Sequence, residues 1–206
     1  MSQIAYFPSG KRELSKVANR EAILQAAREV FGEIGFDAAT VRDIIRRTNL
    51  SVGAFYNYYR SKEEVYEALA DDGARRFRPI LAAQYAAATD FQSYIRGAIE
   101  AYYDFLVQEH KLELRSEGER RPHVRAETPE MQAVFEQVRW SIADMLAKDH
   151  ETAVDADYLA ASIIAIAREV GERMVERRPT NAPAAVDFAV SMILGGLPAL
   201  PRAAPH

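Results

Sequence analysis

The chain has 206 residues, 49% apolar and 27% charged, which suits one large core or two small ones; with no cysteine it excludes disulfide frameworks, thiolate nucleophiles and Cys-ligated zinc. The net charge of −4 is uneven: residues 1–62 hold ten Lys and Arg against six Asp and Glu, whereas residues 63–206 hold sixteen against twenty-four. A basic head on an acidic body points to a partner that touches the head alone.

The start, MSQIAYFPSGKRELSK, lacks the apolar run of a signal peptide. Lys11, Arg12, Lys16 and Arg20 make it a basic arm that either reaches a neighbouring anionic partner or is a solvated tail. The periodicity predicts a first helix from about Asn19 to Ile34, with Ile23, Ala27, Val30, Phe31 and Ile34 on one face and Gly35 ending it. Thr40 is a good N-cap for a second helix, which would bury Val41, Ile44 and Ile45. Thr48-Asn49 follows as a turn, and a short third helix spans about Ser51 to Tyr58. Ser61-Lys62-Glu63-Glu64 is a capping box that opens a fourth helix running beyond Arg76.

Thr89 or Asp90 caps the next helix, ending near His110, and the polar segment from Lys111 to Glu127 has no assigned structure. Thr128-Pro129 opens a helix to about Lys148. Asp155 caps one to about Arg177, stopped by Pro179; Asn181 and Pro183 open the last, which Gly195, Gly196 and Pro198 end. The segment from Ala182 to Leu200 is apolar but short, contains Asp187 and Pro198, and reads as a buried helix and not a membrane span. No stretch alternates with the period of a strand, so the fold is expected to be all-α: an N-terminal helix-turn-helix head, residues 1–62, then a larger helical body, residues 63–206. No membrane partner is expected, and the location is expected to be cytoplasmic.

Two short helices joined by a tight turn place the second helix where it can enter the DNA major groove. The small residues Ser51, Val52, Gly53 and Ala54 would let that helix approach base edges closely. Tyr56, Asn57 and Tyr58 follow with hydroxyl and amide donors for phosphate oxygens, and Lys62 stands in the first turn of the next helix. Thr40 and Arg42 are placed to hold the flanking backbone. At least one of Tyr58 and Tyr59 is expected to pack in the three-helix core, and Arg46 and Arg47 read as solvated surface.

The segment from about Ile23 to Tyr66, within ILQAAREVFGEIGFDAATVRDIIRRTNLSVGAFYNYYRSKEEVYEAL, resembles the N-terminal domain of the TetR family of bacterial transcriptional regulators. The phrases GFDAATVRDI, FYNYY and SKEEV match the family in order and spacing. It departs at Thr48-Asn49, where the turn usually reads Ala-Gly, and at Asn57, often His. The resemblance implies that Thr40, Arg42, Ser51, Val52, Gly53, Tyr56, Asn57 and Lys62 fall on DNA-contacting positions. It also implies that the acidic body dimerises and holds a small-molecule effector.

Read from its own residues, the body offers two apolar stripes for a homodimer: Tyr158, Leu159, Ile163, Ile166 and Val170, and then Phe188, Ala189, Met192 and Ile193. Two such helices from each subunit would make a four-helix bundle. Tyr94, Tyr102, Tyr103, Phe105, Phe135 and Trp140 are candidate pocket walls for an apolar ligand, or plain core. Arg115, Arg120, Arg121, His123 and Arg125 either pair with a ligand carboxylate or form a solvated loop laced with Glu117, Glu119 and Glu127. The expected function is a ligand-responsive regulator, a repressor that binds a palindromic double-stranded operator as a homodimer. The alternatives are a helical small-molecule-binding protein without DNA binding, or an enzyme. For the enzyme, His110, His123, His150 and His206 show no metal-ligand spacing, and neither a phosphate loop nor a nucleophile elbow is present; no cofactor and no metal are expected.

Overall fold

The computed structural model describes residues 9–113, 128–149 and 154–201. The elements are α1 (Ser9–Ile34), α2 (Val41–Arg46), α3 (Val52–Tyr56), α4 (Lys62–Ala87), α5 (Phe91–Glu113), α6 (Pro129–Lys148), α7 (Ala156–Glu176) and α8 (Ala182–Gly196), with a short 3-10 turn at Leu197–Ala199. The chain separates into two compact units, Met1–Leu69 with Leu112–Ala126 and Ala70–Lys111 with Glu127–His206. The sequence reading set the division at Lys62, where α4 begins. Val65 is fully buried in the core of the first unit, and Ala68 and Leu69 pack against that core.

In the first unit Ile23, Leu24, Ala27 and Val30 of α1 meet Ile44 of α2, Phe55 of α3 and Val65 of α4 in one core. α1 begins at Ser9, well before the expected Asn19. Its first turns expose Leu14 and Val17 at 71% and 58%, so they form no buried stripe, and a periodicity search finds burial, not helix. The helix there rests on good helix formers and on pairs such as Lys16 with Glu13 at 3.1 Å. Gly35 ends α1 with φ 76°, a conformation that favours glycine. Thr40 and Asp43 form the capping box of α2. The Thr48 hydroxyl donates to the Ile45 carbonyl at 2.9 Å and accepts from the Leu50 amide at 3.2 Å, closing the turn that relates α2 to α3.

The second unit is built around α5, whose Phe91, Tyr94, Ile95, Ile99 and Tyr103 are all buried. α4 runs through Pro79, which is exposed and has no N–H to give the Arg75 carbonyl. Arg76 of α4 grips Glu109 of α5 through two bonds of 2.8 and 2.7 Å. α6, α7 and α8 start at the expected caps Thr128, Asp155 and Asn181. Gly171 lets α7 lie against α5: a Cβ there would stand 2.6 Å from Leu106 Cδ1 and 3.0 Å from Tyr103 Cε1. α8 is not the buried helix expected. It buries Val186, Ala189, Val190 and Ile193, and leaves Phe188 and Met192 exposed at 59% and 55%. The stretch Ala182–Ala199 is long and apolar enough to cross a membrane by composition alone.

Candidate nucleic-acid interface

Helix α3 is short and its exposed side is unusual. Ser51 caps it, its Oγ accepting from the Ala54 amide at 3.2 Å, which leaves the hydroxyl hydrogen free. Phe55 is the anchor, wholly buried. Val52 and Tyr56 are exposed at 57% and 53%, beside exposed Ser51, Gly53 and Asn57. A Cβ added at Gly53 would meet nothing within 4 Å, so no packing demand requires glycine there. The face is therefore bare, with apolar atoms and free donors turned to solvent. That is a surface able to touch thymine methyls and base edges.

Cations and hydroxyls flank α3 in the sequence. Arg42 and Arg60 are exposed, and neither guanidinium has an acidic partner among the described residues, although the Arg60 amide donates to the Glu64 carboxylate. Arg60 is a residue the sequence reading left out of the site; its place between FYNYY and the capping box is the signal that could have found it. Tyr58 is half-buried, and its hydroxyl accepts from Asn19 Nδ2 at 3.2 Å, keeping its own hydrogen to donate. Tyr59 belongs to the core, and burial pushes its hydroxyl pKa up.

Three assignments change. The Thr40 hydroxyl donates to Asp43 Oδ2 at 2.6 Å and accepts from the Asp43 amide, so it serves the cap and has no donor left for a phosphate. These bonds hold the Asp43 carboxyl below the usual aspartate range. Lys62 does not present its ammonium outward: Nζ donates to the carbonyls of Phe36, Ala39 and Asp37 at 2.7, 3.0 and 3.1 Å, over the Phe36 ring at 4.6 Å. Arg47 is no mere solvated surface residue. It makes two bonds to Glu33 and stands 3.6 Å from Glu29, tying α2 to α1, and the Glu33 carboxylate raises its pKa.

Residues 23–69 match the family model described as bacterial regulatory proteins, tetR family. The chain is 26% identical over 193 residues, 91% of its length, to the HTH-type transcriptional activator FasR of Mycolicibacterium smegmatis, covering 87% of that protein. It is 31% identical over 123 residues to the HTH-type transcriptional repressor AcnR of Corynebacterium efficiens, covering 59% of this chain and 62% of that one. A TetR-family transcriptional regulator from Syntrophomonas wolfei superposes with a TM-score of 0.71 at 19% identity, over 88% of this chain and 96% of its own. The chain carries the N-terminal domain of the TetR family. It is a helix-turn-helix transcriptional regulator, and α2 and α3 are the two helices of that motif.

In the second unit the expected pocket aromatics fall into three groups. Tyr94 and Tyr103 are core, 1% and 0% exposed, and neither hydroxyl has a hydrogen-bond partner among the described residues. Tyr94 lies beside the buried Ser141 without closing a bond to it, and burial raises the pKa of both phenols. Tyr102, Phe105 and Phe135 are half-buried, and Phe77 of α4 meets the first two rings at 5.5 and 5.4 Å. Trp140 is 57% exposed, packed on Tyr85, and so cannot wall an enclosed pocket. An open groove of about 330 Å³ runs between α4 and α5, lined by Ile80, Gln84, Gly97, Glu100, Asp104 and, of the expected aromatics, Phe105.

The expected dimer stripes also divide. Leu159, Ile163 and Ile193 are buried in the unit's own core, as is Ala189, and Ile166 and Val170 are half-buried against it. Tyr158 at 76%, with Phe188 and Met192, is exposed beside small residues such as Ala161, Ala165, Ala184 and Ser191. The α7 stripe read from the sequence is thus mostly the inward face, and of its residues Tyr158 alone is exposed. Arg115, Arg120, Arg121, His123 and Arg125 lie outside the described residues, as do the side chains of Lys11 and Arg12.

Proposed function

We propose that the chain works as a homodimeric, effector-released repressor in the cytoplasm, reading a palindromic operator with one α3 helix per subunit. The observation that carries the reading is the face of α3, where Val52 and Tyr56 are exposed while Phe55, from the same turn, is wholly buried. Ser51, Val52, Gly53, Tyr56 and Asn57 read or approach the bases and adjoining phosphates, and Arg42, Tyr58 and Arg60 hold the backbone. Dimerisation is supported by Tyr158, Phe188 and Met192, apolar side chains that an isolated subunit leaves in water. A palindromic site asks a dimer to present its two α3 helices about 34 Å apart, one duplex turn.

The effector is a small, largely apolar molecule held in the second unit near α5. The buried hydroxyls of Tyr94 and Tyr103 support this, because they offer a ligand two polar handles inside an apolar core. Binding releases DNA only in so far as the ligand prefers the non-binding arrangement, and about 1.4 kcal/mol of preference is a tenfold change. The test is a gel shift with DNA from upstream of the chain's own gene. Tyr56→Phe and Asn57→Ala each weaken binding by about tenfold, the scale of one hydrogen bond to a charged oxygen. Unchanged binding in both would remove α3 as the reader.

A further inference from the structure

We infer that Lys62 is a positioning residue of the reading head, a pin that holds the α1–α2 loop from the first residue of α4, and that it makes no phosphate contact. The inference rests on the DNA-binding reading above. An ammonium has three N–H donors, and here three carbonyls, those of Phe36, Asp37 and Ala39, take them at 2.7 to 3.1 Å. The Phe36 ring lies under the charge, and Phe31 and Tyr66 pack on that ring at 5.3 and 5.2 Å. A phosphate could be served only by breaking one of these bonds. The rest of the loop is held by burial of Phe36 and Ala39, by Gly35, which turns the chain left-handed, and by the Ala39 amide, which donates back to the Gly35 carbonyl at 3.2 Å.

What hangs from the loop is the site. The next residue, Thr40, caps α2, whose exposed Arg42 lies two residues further on. α4 is one unbroken helix from Lys62 to Ala87, and its Phe77 and Leu81 belong to the core of the second unit. Loss of the three bonds therefore frees the loop and alters the start of α2.

The experiment compares full-length wild type, Lys62→Met and Lys62→Arg for operator affinity across a salt series. Lys62→Met keeps the apolar stem over Phe36 and removes every donor. The expected result is a loss of about tenfold or more with the slope of log affinity against log salt unchanged, because no phosphate contact is lost. A slope reduced by about one per subunit would make Lys62 a phosphate ligand and overturn the inference, as would unchanged affinity. Lys62→Arg keeps the charge, but its flat fork cannot converge on three carbonyls, so full wild-type affinity in that variant also overturns it. Amide hydrogen exchange without DNA gives an independent arm: the Ala39 amide exchanges faster in both variants. Unchanged exchange removes the pin even if the wild type binds no DNA, whereas absent wild-type binding alone removes the regulator reading. Should Lys62→Met not fold, Lys62→Arg supplies the affinity and exchange tests.

Discussion

Replacing Tyr103 by Phe should stabilise the protein. The ring is wholly buried on α5, and its hydroxyl has no partner among the described residues. A buried hydroxyl left unpaired costs about 1–3 kcal/mol relative to its hydrated state in the unfolded chain. Removing it forfeits the dispersion contacts of one oxygen, at about 0.1–0.2 kcal/mol for each atom pair. The two together leave a gain on the order of 1 kcal/mol. With a denaturant dependence of about 1–3 kcal/mol per molar urea, the midpoint rises by roughly half a molar at unchanged slope. Trp140, the single tryptophan, lies in the second unit and reports its unfolding by fluorescence. A midpoint that falls would refute the reasoning, since it would mean that the hydroxyl is bonded. The same variant tests the effector handle: a compound that releases the wild type from DNA should act more weakly on Tyr103→Phe. Equal action would remove the hydroxyl from the ligand site.

Two glycines should respond in opposite ways to alanine. Gly171→Ala drives a methyl to 2.6 Å from Leu106 and 3.0 Å from Tyr103, and overpacking of about 1–3 kcal/mol outweighs a helix-propensity gain of at most about 1, so urea unfolding moves to lower concentration. Gly53→Ala meets open space, leaves the melting curve where it was or slightly higher, and weakens operator binding in a gel shift by obstructing close approach. Asp43 has a depressed carboxyl pKa because the Thr40 hydroxyl, and then the Thr40 amide, hydrogen-bond its charged form. Its contribution is present above the ordinary aspartate value of about 4 and is lost as pH falls through the lower folded value, so acid melts the first unit earlier; Asp43→Asn should flatten that part of the pH–stability curve. Phe188→Glu puts a charge on the outward face of α8 and should yield a folded monomer by light scattering, with operator affinity lost.

What could be read from the sequence was local. Thr40 with Asp43, Thr128 before Pro129, Asp155 and Asn181 announce helix starts because a cap needs only a side chain and an amide two or three residues away. The exposed α3 face was legible for the same reason, since small residues in a short helix leave little to bury. The role of Lys62 was not, because its carbonyl partners lie between 23 and 26 residues earlier and converge only once α1, the loop and α4 have folded together. Arg47 escaped notice similarly, its partner Glu33 standing 14 residues away. In α7, apolar residues occupy neighbouring faces, and periodicity cannot tell Leu159, which faces the unit's own core, from exposed Tyr158 beside it. Helix α1 extends past its stripe for the converse reason: its first turns bury nothing.

The central claim is that two bare α3 faces read the duplex together. Hydroxyl-radical footprinting of the wild-type protein on its operator tests it most directly. The account predicts two protected patches with centres about 10 base pairs, one helical turn, apart on the same side of the duplex, both lost in a Val52→Glu variant that remains dimeric. A single patch, or protection that survives Val52→Glu, would contradict it.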